Sequence, residues 1–276
     1  MLIRYGYDIT IKTAADMPMI VQMSARPERQ LDLRAVEAFR TEPGVPFSTY
    51  LDRHGNYCRR MTAPPGEFRM TQDAVIADSG IPDPEGIDAE EMPIEALPDD
   101  VLYYLTGSRY CDTDLISPIA WDLFGNVAPG WRRVQHIVDW VNDHITFNYG
   151  DADATRTAHG AYQEGKGVCR DFAHLAIAFC RSLNIPARYI NGHLGDIRVP
   201  PVEDPMDFAA WMQVYLSGRW WTFDPRNNAR RVGRIVIGHG RDATDVALIS
   251  SFGPHDLLNF KVWTDEVDEA GNIIPQ

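Results

Sequence analysis

Near the N-terminus, Ile3, Tyr5, Tyr7, Ile9 and Ile11 fall on one parity, with polar or small residues between several of them. Alternation of β-branched and aromatic residues predicts a half-buried strand. Residues 17–23 form a second short apolar run. Asp52-Arg53-His54-Gly55-Asn56 has turn composition and precedes another candidate strand over 57–61. Residues 1–81 therefore read as an N-terminal β-rich domain, a sandwich or an open sheet. After residue 100 the period changes. Residues 102–105 and 119–124 are short helical candidates, and Val134, Ile137, Val138 and Val141 recur at helical spacing within 131–142. The strongest stripe is Val168, Phe172, Leu175, Ala176, Phe179 and Leu183, which predicts a helix from near Val168 to Leu183 that stops before Pro186. Three strands follow, over 187–194, 208–216 and 219–224, with Ser217-Gly218 as a two-residue hairpin turn. Residues 232–237 and 245–248 suggest one more strand pair.

Between the two halves, residues 82–100 hold eight acidic residues and no basic one, so this stretch supplies −8 of a net −13. Pro82, Pro84, Pro93 and Pro98 oppose regular structure. A calcium or cationic-partner site is conceivable there; a solvated connector is the plainer reading. The rest, 101–276, reads as the core domain. The charge sum, 26 − 39 = −13, argues against a nucleic-acid partner, which needs a basic footprint. The first residues lack a signal-peptide pattern and no stretch approaches the ~20 apolar residues of a membrane helix. A cytoplasmic protein with its four Cys as thiols is expected, with no membrane partner. Gly160 to Gly167 resembles a phosphate-binding loop, but Gly167 stands where Ser or Thr should hold Mg²⁺. Zinc-binding and serine-hydrolase patterns are also missing, so no metal and no cofactor is expected.

Gly165-Lys166-Gly167-Val168-Cys169 opens the strong helix, which puts Cys169 in its first turn. Backbone N–H groups and the helix dipole there favour an anion and would lower a thiol's pKa. The plainer reading is a small core residue. Cys180, 11 residues on, lies about 16 Å further along the helix and reads as core. In the Ser217-Gly218 hairpin, Leu216 faces Arg219, so Trp211 faces Asp224, and residue 209 shares that face. Phe208, Ala210, Met212, Val214, Leu216, Trp221 and Phe223 make the opposite, apolar face. Trp211 and Trp220 fall on the first face and are candidate walls of a substrate cleft. His174, five residues after Cys169, points away from it and reads as packed.

These residues carry a resemblance. Gly-Val-Cys-Arg-Asp-Phe-Ala-His (167–174), Ile185-Pro186-Ala187-Arg188-Tyr189, Phe208-Ala209-Ala210-Trp211 and Trp221-Thr222-Phe223-Asp224-Pro225 resemble the transglutaminase-like superfamily. The similarity is to its bacterial branch, labelled as cysteine proteases, and extends to the N-terminal strands. It implies an α+β fold, with a papain/transglutaminase-like core in which a Cys-bearing helix packs on an antiparallel sheet. It also implies a Cys–His–Asp triad, in which Cys169 matches the nucleophile and Asp224 the orienting acid. Where the family usually has His, this chain has Ala209, which can neither take nor deliver a proton. His193, at the end of the preceding strand, is the candidate replacement base if strands 187–194 and 208–216 pair antiparallel. The expected function is thiol-dependent amide chemistry on a peptide or amide-containing substrate, by hydrolysis or by acyl transfer through a Cys169 thioester. The alternative is a catalytically inactive member that keeps the fold as a binding or assembly module.

Overall fold

The computed structural model describes residues 1–34, 37–202 and 205–275. The first half contains β1 (Leu2–Thr13), β2 (Met17–Val21), β3 (Arg40–Glu42), β4 (Phe47–Leu51), β5 (Tyr57–Ala63) and β6 (Gly66–Ala77). Helices α1 (Asp99–Leu102), α2 (Thr113–Phe124) and α3 (Trp131–His144) follow, then β7 (Thr146–Phe147), α4 (Ala158–Glu164), β8 (Lys166–Gly167) and α5 (Cys169–Ser182). The chain continues through β9 (Ala187–His193), β10 (Ala209–Leu216), β11 (Arg219–Phe223), β12 (Ile235–Gly240), β13 (Ile249–Ser251) and β14 (Asp256–Val267).

Two antiparallel four-stranded sheets, ordered β14-β1-β6-β3 and β13-β2-β5-β4, form a sandwich. Ile3, Tyr5, Tyr7, Ile9 and Ile11 of β1 are completely buried, as their alternation requires. Tyr7, Ile9 and Ile11 meet Met17, Met19 and Val21 of β2 and Met61 of β5 in a shared core. Both ends of the chain build this sandwich: β14 pairs along β1, and β13 pairs with β2. The expected core domain 101–276 is therefore corrected, because its last strands belong to the N-terminal sheets. The first six positions of β14 are exposed, so it lacks the alternation that would have marked it. The expected pairing of 232–237 with 245–248 is also corrected: β12 pairs with β9, not with a neighbour downstream.

The core sheet has the order β11-β10-β9-β12 and is antiparallel throughout. Helix α5 lies across β9 and β10 and is enclosed on its other sides by α2, α3 and α4. Every residue from Asp171 to Arg181 is buried, a wider apolar surface than one stripe predicts, because α5 is the central helix. Burying side chains such as Phe172 and Phe179 stabilises the core by about 1.5–3 kcal/mol each. Among the described residues no helix is long and apolar enough to cross a membrane.

The acidic stretch 82–100 is largely exposed, as a solvated connector is, and is tied to the rest of the fold at three points. Asp83 pairs with Arg234 at 2.9 Å, Glu85 with Arg230 at 3.2 Å and Glu91 with Arg133 at 3.1 Å. Gly86 lies under Trp221, whose ring atoms would be 2.6 Å from any added Cβ, so only glycine lets the stretch pass there. Asp83, Glu85 and Glu91 thus answer arginines, and among the described residues no group of three His, Cys, Asp or Glu is placed to hold a metal ion.

Candidate active site

The start of α5 is fixed by short-range geometry. Gly165 ends α4 in a left-handed conformation (φ 62°), and the parallel pair β7–β8 then delivers the chain to Val168. The Asp171 carboxylate folds back to accept the Val168 N–H at 2.9 Å, and a Cβ on Gly167 would sit 2.5 Å from that carboxylate. Arg156 reaches the same carboxylate at 3.2 Å. Asp171 thus answers the positive end of α5.

Cys169, first residue of α5, is half-buried, whereas Cys58, Cys111 and Cys180 are fully buried; all four are free thiols. Burial pushes the Cys169 thiol up to about 11, the Ala210 N–H pulls it back in part, and the nearby Asp207 carboxylate pushes it up again. The direction is opposite to the expected lowering, because burial and a neighbouring acid penalise the thiolate.

The sulfur lines a cavity of about 350 Å³ together with Ala209, Ala210, Asp207, Phe147 and Arg226. Because the Ala210 N–H points at the sulfur, covalent geometry puts the Ala209 Cβ within roughly 8 Å of it. The hairpin register is Leu216 opposite Arg219 and Met212 opposite Phe223, as counted from Ser217-Gly218. Ala209 and Trp211 pack with Ile190 on the sheet face away from α5. Asp224 follows β11 and is buried near that face. Its Oδ1 accepts the Asn227 backbone N–H at 3.0 Å, and its Oδ2 accepts Asn227 Nδ2 at 2.8 Å and Arg234 Nη2 at 2.9 Å. Arg234 lies over the Trp211 ring at 4.7 Å and also pairs with Asp83, so Asp83, Arg234 and Asp224 form a buried chain of charge. Burial opposes that guanidinium charge, yet the two carboxylates hold it above its ordinary pKa.

His193 stands elsewhere. Strands β9 and β10 do pair antiparallel, but the register puts Gly192, not His193, opposite Ala209. Successive side chains point to opposite faces. The His193 ring is accordingly fully buried against Tyr5 and Phe208, with Nδ1 3.2 Å from Thr264 Oγ1. Burial lowers its pKa to about 3, and it is not among the side chains lining the Cys169 cavity. Trp211 is completely buried and walls no cleft, while Trp220 lines a separate cavity. His174 is packed, stacked on Tyr110, with Nε2 accepting the Ala243 N–H at 3.1 Å.

Two residues beside the thiol were not singled out in the sequence. Asp207 lines the cavity, and burial holds its carboxyl above the usual range although the Phe208 N–H, at 2.6 Å, opposes this. Arg226 lines it too, stacked 4.3 Å over Phe147. The only signal was position: Asp207 stands two residues before 209, and Arg226 two after Asp224.

A family model of the transglutaminase-like superfamily matches residues 119–225, a span that takes in Cys169, position 209 and Asp224. Residues 119–225 have the transglutaminase-like fold. The whole α+β chain, sandwich included, is similar to the crystal structure of a candidate cysteine protease from Cytophaga hutchinsonii. That match has TM-score 0.84 and 28% identity, and covers 100% of this chain and 94% of that one. An uncharacterized protein of Mycobacterium leprae is 27% identical over 79% of this chain and 81% of its own length. Another, from Mycobacterium tuberculosis, is 28% identical over 72% of this chain and 69% of its own. The transglutaminase-like fold thus puts a cysteine at the start of a central helix and an aspartate at a strand end. Among the described residues, no imidazole lines the thiol's cavity.

Proposed function

We propose that this transglutaminase-like protein receives a peptide or amide-bearing ligand in the Cys169 cavity without processing it through a Cys–His–Asp triad. The observation that carries the reading is Ala209 at the base position, with both Asp224 oxygens bonded to Asn227 and Arg234. A thiol held near 11 is almost wholly protonated at neutral pH, and the sulfur then lacks nucleophilic strength. The ligand class is argued from the cavity: its volume suits a small ligand segment, and its lining mixes apolar Phe147, Leu194 and Met206 with charged Asp207 and Arg226. Similarity to the candidate protease from Cytophaga hutchinsonii supports the same class. Four free thiols suit a reducing compartment such as the cytoplasm.

A second reading rests on Asp207. Its carboxyl, raised by burial, lines the same cavity as Cys169, and in this reading it exchanges a proton with the thiol and supports slow thioester formation in place of a histidine. Intact-mass measurement after acid quench, with glutamine-containing and carboxamide peptides, separates the two. The expected outcome is no acyl adduct on wild type and no peptide cleavage. An adduct that disappears in Cys169→Ala establishes the enzymatic reading, and its further loss in Asp207→Asn assigns the base.

A further inference from the structure

The sheet face that carries Ala209 and Trp211 also carries, at its other end, Arg188, Gln213, Trp220 and His239. Register sets this placement: Arg188 faces Gln213, Trp220 faces Tyr215 and His239 faces Ile190. The turn at His54 and the residues just after α1, Tyr103 and Tyr104, come over this end and leave a cavity of about 360 Å³. It shares no lining residue with the Cys169 cavity.

Arg188, half-buried, differs from the fully buried arginines of the core in its partners. Arg133, Arg156, Arg231 and Arg234 each meet a carboxylate, at 3.1, 2.9, 3.4 and 2.9 Å respectively. Arg181 is surrounded by backbone oxygens of Ala187, Thr106 and Arg241. The direct partners of the Arg188 guanidinium, among the described residues, are uncharged. Its Nε and Nη2 donate to the single Gln213 Oε1 at 2.9 and 2.6 Å, its Nη1 is 3.3 Å from His239 Nε2, and its guanidinium lies 4.2 Å over Trp220. His239 is held neutral, its pKa lowered to about 2 by burial and by Arg188 itself. Burial lowers Arg188 to about 10, and the carboxylate that counters this, Glu28, is engaged with Arg26 at 2.8 Å. Among the described residues no carboxylate forms an ion pair with Arg188. A second cation, Arg53, stands at the mouth, donating to Tyr103 OH at 3.1 Å, with Asp100 exposed on the rim. Taking a cation out of water without a counter-charge is costly, and a planar guanidinium matches a carboxylate or phosphate with two parallel N–H donors.

We propose that this cavity binds a small oxyanion ligand, a carboxylate or a phosphate, with Arg188 as its charge partner and Arg53 guarding the entrance. Trp220, Tyr103 and Tyr104 give the rest of the cavity aromatic walls, which suit an organic body behind the anionic group. The assignment does not depend on Cys169 chemistry.

Calorimetric titration of the full chain at low salt with inorganic phosphate, phenyl phosphate and benzoate tests it. Saturable binding is expected, tighter for the aromatic anions if the ligand is organic and strongest for inorganic phosphate if it is the free ion. Arg188→Gln is expected to weaken it at least tenfold, a loss of about 1.4 kcal/mol, and Arg53→Ala by a smaller factor. Because Arg188→Gln risks misfolding, a second readout uses wild type alone. The His239 ring-proton resonances, assigned by comparison with His239→Gln, are expected to shift and saturate with the anion. No saturable binding, His239 signals unmoved by the anions, or binding unaltered in a folded Arg188→Gln variant overturns the proposal.

Discussion

Replacing Ala209 with His is expected to raise the rate at which iodoacetamide alkylates Cys169 at pH 7 by about 10²-fold or more, the contribution usual for a positioned general base. Position 209 lines the thiol's cavity, and the neighbouring Ala210 N–H already points at the sulfur. Asp224 is buried near the same face. Among the described residues its Oδ1 accepts one N–H, from Asn227, and an sp² carboxylate oxygen has capacity for a second donor such as an imidazole. A paired imidazole stabilises a thiolate and brings the thiol pKa down toward roughly 3.5–7.5. Kinetic alkylation mapped by mass spectrometry measures the change. A folded Ala209→His protein whose Cys169 reacts no faster than wild type contradicts the assignment of 209 as the vacant base position.

Removing the Asp224 carboxylate separates a structural from a purely catalytic role. In Asp224→Ala the Arg234 guanidinium keeps only Asp83, and the Asn227 turn loses its acceptor. Breaking a buried ion pair from one side costs about 3–5 kcal/mol, and the surviving Asp83 contact points to the lower end. Urea denaturation is expected to show a loss of about 3 kcal/mol. A residue kept only to orient a histidine leaves stability nearly unchanged when truncated, so a loss well below 1 kcal/mol refutes the structural role.

The elements that carry the thiol were legible because their signals are local. The α5 stripe, Pro186 after it and the Ser217-Gly218 turn placed the helix and hairpin to within a residue or two of Cys169–Ser182, Ala209–Leu216 and Arg219–Phe223. From the turn alone the register followed, because side chains alternate strictly between faces. What was illegible depends on distant partners. Strand β14 is an edge strand, exposed over its first half, and nothing local announces that it returns to β1. The three ties of the acidic stretch to the fold were invisible because its arginine partners, Arg133, Arg230 and Arg234, are remote in sequence. His193 failed as a neighbour of 209 by one residue of register, enough to turn its ring to the other side of the sheet. The thiol's pKa was misjudged because helix position is visible in sequence and burial is not.

The account turns on the state of the Cys169 thiol, and the pH dependence of its alkylation tests that most directly. With Cys58, Cys111 and Cys180 buried, limiting iodoacetamide reports on Cys169 first, and peptide mapping confirms the site. The alkylation rate of wild type is expected to stay low at pH 7 and climb steadily with pH toward a midpoint near 11, the value to which burial and Asp207 push the thiol. A rate already at its plateau near neutral pH shows a thiolate stabilised by some group of this chain, and contradicts the proposal that the triad is incomplete.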